Sequence, residues 1–594
     1  MLTSKLKDFQ VKTTKWMATR EDKYDGGMLF LDAGLGKSIC TISTILNTPT
    51  KTLIVCPAGL VDNWVNEFKK HTDISRLKIV KYYGQNRDKI EINDKQLVYI
   101  TSYSIAAREF VGGNFLKTSL LRNVKFGRIV LDEAHYIRNV GQRIQRSSPI
   151  LFLGDQIKYK WVLTATPIFN DPTDMFVYFK FLGLEGIDQK SDWTKAITKN
   201  LDGYELLNKW IEKHGMSLKK SKVLKELKSE KEHILQLKFG QYEQDFYDSL
   251  KEYSKIRIKN LVKKIKKYKK SNLTDQSMSK ILHSCALVYI LRLKQACDSP
   301  LLVLKSMDRL KKSVNLKDAT KLLKYYNDSI NTDEECPVCY DKTADFIANP
   351  CGHKCCEGCW NKMFNSNIVN CPRCREYVDD IKPIHIHMSS EVVEQIEYSL
   401  SEIKCSSKIQ KTIDVTLDIV KNGEKLLIVS QWVGMLNIVR SVFDQEPTLQ
   451  SIKYVSLQGD VPLKERTKCI SEFQNDPNIN VCFISLMSSS EGINLVSANH
   501  IIHLDSWWNN AKTYQMSSRI HRINQTKQVH VYKLQIKHSI EEQIEQLVKK
   551  KDKMASLVLS KWNIQNKANY DTSWLTSIIR LIEKPPPEEV QLSS

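Results

Sequence analysis

Two short groups of residues carry the most legible chemistry in this 594-residue chain. In MLFLDAGLGKSICTI (28–42), Gly34, Gly36, Lys37 and Ser38 fall between an apolar run and a helical pattern. Glycines let backbone N–H groups close around phosphate oxygens, and the N-terminus of the following helix favours their charge. Lys37 then serves as cation for β- and γ-phosphates, and the Ser38 hydroxyl as a ligand for Mg²⁺. The strict phosphate-loop pattern has a glycine where Leu31 stands, and the plainer reading is a glycine turn opening a core helix. The second group, VLDEAH (130–135), ends an apolar strand on Asp132 and Glu133. Phosphoryl transfer needs a carboxylate that holds metal and a group that orients attacking water, roles that suit Asp132 and Glu133. Two solvated acids at a strand end are the alternative.

A third group lies far downstream. YQMSSRIHRINQ (514–525) spaces Arg519 and Arg522 so that both leave one face of a helix. Brought across a cleft from a separate lobe, such arginines reach a γ-phosphate, a contribution worth about 10³–10⁵ in rate. Without the other motifs they read as a basic helix face.

Of 15 cysteines, eight fall between Cys336 and Cys374. The ligand candidates run Cys336-x2-Cys339, Cys351-x-His353-x2-Cys356-x2-Cys359 and Cys371-x2-Cys374. Tetrahedral zinc takes four N/S ligands, so these eight residues make two closed sites, two Zn²⁺ ions of structural type. Thiols stay reduced inside cells, which argues against a disulfide framework.

The elements that must position these residues are readable too. LIVCP (53–57), VYITS (98–102), RIVLD (128–132) and WVLTA (161–165) are short aliphatic runs ending in small or polar residues, as buried parallel strands do. LLIVSQW (426–432), VCFISL (481–486) and IIHLD (501–505) repeat the pattern after the cysteine cluster. The expected organisation is an ATP-binding lobe over 1–185, a mostly helical insertion over 186–305 and a connection over 306–335. A zinc-binding domain over 336–375 and a second connection over 376–400 follow. A second α/β lobe ending in a helix covers 401–560, and 561–594 form a tail with three prolines at 585–587. Lys and Arg number 89 against 67 Asp and Glu, a net charge of +22, which favours a polyanionic partner. The run KIRIKNLVKKIKKYKK (255–270) has nine Lys/Arg and no acid, with Ile258, Leu261, Val262 and Ile265 at helical spacing. It reads as a contact to DNA backbone, or else as a solvated helix or nuclear-import signal. The start MLTSKLKDFQ lacks the apolar core of a signal peptide, and no run reaches the roughly 18 apolar residues of a membrane helix. The expectation is an intracellular, soluble protein with no membrane partner, placed in a nucleus or a viral DNA-replication compartment.

Together these motifs resemble the SWI/SNF-type ATPases of helicase superfamily two. LKDFQVKTTKWM (6–17) resembles the family's adenine-reading motif with Gln10 in the reading position, and LIVCPAGLVDNWVNEF (53–68) a motif that contacts DNA backbone. LTATPIFNDPTDMF (163–176) resembles the motif that couples ATP to DNA, and SLMSSSEGINLVSANHIIHLDSWWNNAKTYQMSSRIHRINQ (485–525) the last two motifs. The resemblance spans roughly 5–560. It implies two RecA-like lobes with parallel sheets, a helical insertion and a nucleotide held by Gln10, Leu31, Asp32, Ala33, Gly34, Leu35, Gly36, Lys37, Ser38 and His135. It also implies translocation on double-stranded DNA. Ser489 and Ser490 stand where the family has glycines, Asn510 where it has proline, Met516 where it has alanine and Asn524 where it has glycine. Asn tolerates positive φ, so Asn524 is expected to preserve the turn.

The zinc cluster resembles a RING finger. That resemblance implies one ion held by Cys336, Cys339, Cys356 and Cys359 and another by Cys351, His353, Cys371 and Cys374, with Cys355 a small core residue. It also implies a ubiquitin-conjugating enzyme as partner, met by Val338, Pro372 and Arg375. A RING between the lobes marks the branch that includes helicase-like transcription factor. Its usual N-terminal DNA-end-binding module is expected to be absent here, since the first motif begins within ten residues of Met1. Two rival readings are a RING ubiquitin ligase or zinc scaffold whose lobes merely grip DNA, and an RNA helicase. Structural zinc contributes on the order of 10–16 kcal/mol in small fingers. Cys371→Ser is therefore expected to unfold the finger and release zinc, measured by a chromophoric chelator; full zinc retention would count against the assignment.

Overall fold

A computed structural model describes residues 2–73, 77–84, 87–90, 96–111, 114–115, 119–137, 147–168, 172–184, 201–224, 226–241, 243–252, 254, 289–307, 346–349, 354–365, 370–371, 378, 380–383, 406–458, 463–486, 493–508 and 510–559. The basic run 255–270, Ser489, Ser490, Val338, Pro372, Arg375, the tail and the zinc-ligand candidates Cys336, Cys339, Cys351, His353 and Cys374 lie outside them.

The first lobe opens with α1 (Asp8–Tyr24), β1 (Gly26–Leu31), α2 (Lys37–Asn47), β2 (Thr52–Cys56) and α3 (Val61–His71). Then come β3 (Lys78–Lys81), β4 (Gln96–Ser102), β5 (Arg128–Asp132), β6 (Tyr159–Leu163) and β7 (Gly215–Leu218). They form a seven-stranded sheet of order β3-β4-β2-β5-β6-β1-β7, with every pairing parallel. Every residue of β1, β2 and β5 is buried, because helices cover both faces and leave no side for polar alternation. The carboxyl ends of β1, β6 and β5 are neighbours, which brings the phosphate loop and the acid pair to one edge of the sheet.

The insertion expected to be mostly helical also contributes two strands. One is β7, paired with β1; the other is β8 (Lys231–Leu237), which joins the second lobe through seven register positions with its last strand. β8 escaped notice because it is an edge strand with exposed and half-buried positions only, so it lacks an apolar run.

Of the zinc-binding domain, β9 (Phe346–Asn349) pairs antiparallel with β10 (Lys354–Cys355) and β11 (Asp380–Pro383), and α4 (Glu357–Asn365) follows. Cys355, Cys356, Cys359, Trp360 and Cys371 are all buried there.

The second lobe consists of α5 (Ser407–Lys421), β12 (Leu426–Ser430), β13 (Lys453–Leu457), β14 (Ile479–Ser485) and β15 (His500–His503). α6 (Asn510–Ile520), β16 (His530–Ile536) and α7 (Ile540–Leu559) follow, and the helices Val433–Gln445 and Leu463–Asn475 also belong to it. Its sheet runs β8-β16-β15-β12-β14-β13, again all parallel. Among the described residues no helix is long and apolar enough to cross a membrane.

Three buried ion pairs, centred on two cations, fix the helices on these sheets. Arg128, at the start of β5, is fully buried and bonds Glu21 of α1 through both guanidinium arms, each at 2.6 Å; Trp161 Nε1 donates to the same carboxylate at 2.8 Å. In the second lobe Lys408 of α5 donates to Asp298 (2.8 Å), Glu541 of α7 (2.6 Å) and Leu504 O (2.8 Å). Such pairs stabilise little relative to apolar packing but are costly to break, because one charge is stranded. Glu21→Ala is therefore expected to cost about 3–5 kcal/mol in denaturant unfolding; a change under 1 kcal/mol would show that Arg128 finds other partners.

Candidate nucleotide site between the lobes

The phosphate loop is shaped by two glycines in the left-handed region, Gly34 (φ +90°) and Gly36 (φ +88°), and Gly36 opens α2. Leu31 ends β1 with no exposed surface, so the position where the strict pattern has glycine is a core strand residue instead. Its carbonyl accepts from Lys37 Nζ at 2.9 Å, and Ser38 follows Lys37 in the first turn of α2. Gln10 grips the loop from α1: its Nε2 donates to Leu35 O at 3.1 Å, and its Oε1 accepts from Lys7 N–H at 3.0 Å. Leu35 is buried in the core beneath, with its N–H on Asp32 O at 3.2 Å. Asp32 donates its own N–H to Leu218 O of β7, and Ala33 is half-buried between it and Gly34.

Asp132 ends β5, held by neighbours that motif reading did not single out. Trp64 Nε1 of α3 donates to its Oδ2 at 2.8 Å, and Tyr103 OH donates to its carbonyl at 2.8 Å. A hydrogen-bonding Trp inside an amphipathic helix gives no sequence signal, since it reads as core. Burial and the adjacent Glu133 push Asp132 up to about 6, against the pull of Lys37. Glu133 has positive φ (+48°), an unusual backbone for a non-glycine residue. Burial pushes it up as well, but His135, Lys37 and Arg519 outweigh that and hold it down at about 2. His135 contributes from close by, its Nδ1 lying 3.3 Å from Glu133 Oε2.

The second lobe closes over this edge. Arg519 lies in the last turn of α6, near enough to lower Glu133. Arg522 packs directly on the phosphate loop: a Cβ placed on Gly34 would lie 3.2 Å from Arg522 Cγ. Burial pushes the Arg522 guanidinium down, with Arg519 adding to the effect and Glu67 opposing it. Met516 faces inward with no exposed surface, packed in the second lobe's core, and Asn510 opens α6. Asn524 lies in the expected turn but without positive φ, which among the described non-glycine residues only Asp25, Glu133 and His538 have. The turn is closed by Gln525, whose N–H donates to Arg522 O at 2.9 Å and whose amide caps Val496, Ala498 and Ile520 carbonyls.

In the zinc-binding domain, Cys356 and Cys359 sit in one knuckle: the N–H groups of Cys359 and Trp360 both donate to Cys356 O at 3.1 Å. Two thiols held on one turn in this way fit a metal of soft-ligand preference.

Family models match an SNF2-related domain over residues 9–302, a helicase conserved C-terminal domain over 407–524 and a C3HC4-type (RING) zinc finger over 332–381. The chain belongs to the SNF2-type ATPases of helicase superfamily two. It carries a RING-type zinc finger between the two ATPase domains. It is 28% identical to DNA repair protein RAD5A of Arabidopsis thaliana, over 86% of this chain and 51% of that one. It is 26% identical to helicase-like transcription factor CHR28 of the same plant, over 85% and 62%. It thus spans between half and two-thirds of these relatives' length. Among solved structures, the Sulfolobus solfataricus SWI2/SNF2 ATPase core in complex with dsDNA is similar at 22% identity, covering 93% of this chain and 94% of that one, with a TM-score of 0.36.

Gly34 answers two demands at once, its own left-handed backbone and the approach of Arg522. Gly34→Ala is therefore expected to lower the melting temperature by only about 2–4 °C while reducing ATP turnover roughly tenfold or more. Turnover that merely follows the loss of stability would show that the Arg522 contact is incidental.

Proposed function

We propose that the chain hydrolyses ATP in the cleft between its lobes and uses the resulting opening and closing to move along double-stranded DNA. The observation that carries this reading is the convergence of Arg519 and Arg522 from one lobe on the phosphate loop and acid pair of the other. A phosphoryl transition state spreads charge over its equatorial oxygens, so catalysis is mostly positioning and electrostatics. In this reading Lys37 leaves the Leu31 carbonyl for the β- and γ-phosphates, Gly34 and Gly36 free the loop's N–H groups for phosphate oxygens, and Gln10 reads the adenine. Mg²⁺ supplies charge neutralisation at the phosphates when bound, with Ser38 and Asp132 as its protein ligands. Asp132 is preset for that role by Trp64. Glu133, kept ionised by His135, Lys37 and Arg519, orients the attacking water. The arginines meet the γ-phosphate only when the lobes are together, which makes turnover depend on closure.

Double-stranded DNA as the track is supported by the net charge of +22 and by the family motifs in order along both lobes. A polyanion of fixed charge spacing recruits such a surface through counterion release. The relatives' names connect them with DNA repair and transcription. The RING finger takes two Zn²⁺, with Cys356 and Cys359 in one site and Cys371 in the other, and recruits a ubiquitin-conjugating enzyme as a second, separable activity. A nucleus or a viral DNA-replication compartment suits both activities.

Three measurements decide this. ATP turnover is expected to rise with duplex DNA more than with RNA, and preference for RNA would favour the RNA-helicase reading. Lys37→Ala is expected to abolish turnover and Glu133→Gln to trap bound ATP; DNA-stimulated turnover retained by either overturns the site. Affinity for duplex DNA should fall with salt at a log–log slope near −0.9 per phosphate neutralised, and a flat response would exclude a backbone grip.

A further inference from the structure

Lys220 stands where the chain leaves the first sheet, just beyond β7, with only 5% of its surface exposed. Its backbone belongs to the first lobe. Asp32, the residue after β1, donates its N–H to Leu218 O at 3.1 Å and accepts the Lys220 N–H on Oδ2 at 2.8 Å. The segment from Leu218 to Lys220 is thereby fixed to the base of the phosphate loop by two hydrogen bonds to Asp32, one of them from Lys220 itself.

Its side chain belongs to the second lobe. Nζ donates to His521 O at 2.6 Å and to Ser518 Oγ at 3.3 Å, and lies 5.6 Å from the centre of the Tyr514 ring. Tyr514 and Ser518 lie on α6, and His521 directly follows it, between Arg519 and Arg522. A buried ammonium is tolerated only where its donors are met. Carbonyls at a helix C-terminus, which carry the negative end of the dipole, are good partners for it. Burial brings the amine down to about 8; Glu230 and Asp32 counter this, while Arg522 and Lys37 add to it. The amine is thus protonated at neutral pH.

We propose that Lys220 is a positioning residue that sets the separation between the phosphate loop and the arginine-bearing helix, with its backbone anchored on one lobe and its ammonium on the other. Arg519 and Arg522 reach a bound γ-phosphate only while this contact is made. Nothing in the motifs points to Lys220, which is one lysine in the run SLKKSK (217–222). The inference rests on the cleft being an ATP site.

The test compares Lys220→Met, of similar length without the charge, with Lys220→Arg in the full chain. Steady-state turnover with saturating duplex DNA is measured beside the binding of a fluorescent non-hydrolysable ATP analogue. Misplacing a catalytic group by about 1 Å costs roughly 10²-fold, and that fall in kcat is expected for Lys220→Met. Analogue affinity should stay within about threefold, because the first lobe's contacts to the nucleotide are intact. Lys220→Arg should recover most of the rate. Unchanged kcat in Lys220→Met overturns the proposal, as does equal loss in both variants, which would make packing rather than the cation responsible. Should Lys220→Met not fold, Ser518→Ala carries the test. Its loss of one acceptor predicts a fall of about threefold or more in kcat, and an unchanged kcat overturns the proposal. Lys37→Ala is run in the same series. Full turnover in that variant, or none in the unsubstituted protein, would overturn the ATP reading rather than the role of Lys220.

Discussion

Arg522 lies against Gly34, and the rest of the cleft depends on that approach. The side chain belongs to the lobe built on one parallel sheet and the loop to the lobe built on the other, so the contact exists only while the two lobes are together. Arg519, Arg522, Lys37 and Lys220 then converge at one edge, where burial above all pushes Arg522 and Lys220 down and the neighbouring cations add to it. Glu133, Asp32, Glu230 and Glu67 offset these cations in part, and further negative charge entering the cleft favours their charged forms. A polyphosphate is the ligand that such a group favours, and a ligand that binds the closed form better shifts the population toward it.

The acid side of the cleft is built with equal care for geometry. Glu133 and Asp132 are adjacent carboxylates, one half-buried and the other buried, and their neighbours treat them differently. Asp132, with the Trp64 indole on one oxygen, is raised by burial and by Glu133; Glu133 is kept low by His135 and the surrounding cations. Environments that drive two acids apart are a usual sign of distinct roles. The strand carrying them is anchored at its other end by Arg128 on Glu21, and Glu21 lies on the same helix that presents Gln10 to the loop. One ion pair therefore ties the helix that grips the glycine loop to the acid-bearing strand.

Sequence patterns disclosed the elements with buried, aliphatic strands and the residues with rare chemistry at fixed spacing. β2, β5, β6 and β12 lie within two residues of the runs that announced them, because strands covered on both faces have no polar alternation to obscure them. β8 stayed hidden because it is an exposed edge paired with a strand almost 300 residues away. Trp64, Tyr103 and Lys220 also stayed hidden, since each acts through a contact with a distant segment and belongs to a type that ordinarily packs or solvates. Asn524 sits in the expected turn without the positive φ its type tolerates, because the Gln525 N–H closes that turn on Arg522 O. In the RING-type finger the spacing of cysteines announced the domain, and the Cys356–Cys359 knuckle has the local shape that spacing implies.

Single-turnover hydrolysis by Arg519→Ala, with nucleotide affinity measured on the same protein, addresses the shared site most directly. If the two lobes complete one catalytic centre, the rate of the chemical step falls by about 10³-fold or more while affinity for ATP changes little. A rate equal to that of the unsubstituted protein would mean that the cleft is only a contact surface and that hydrolysis, if any, is the work of the first lobe alone.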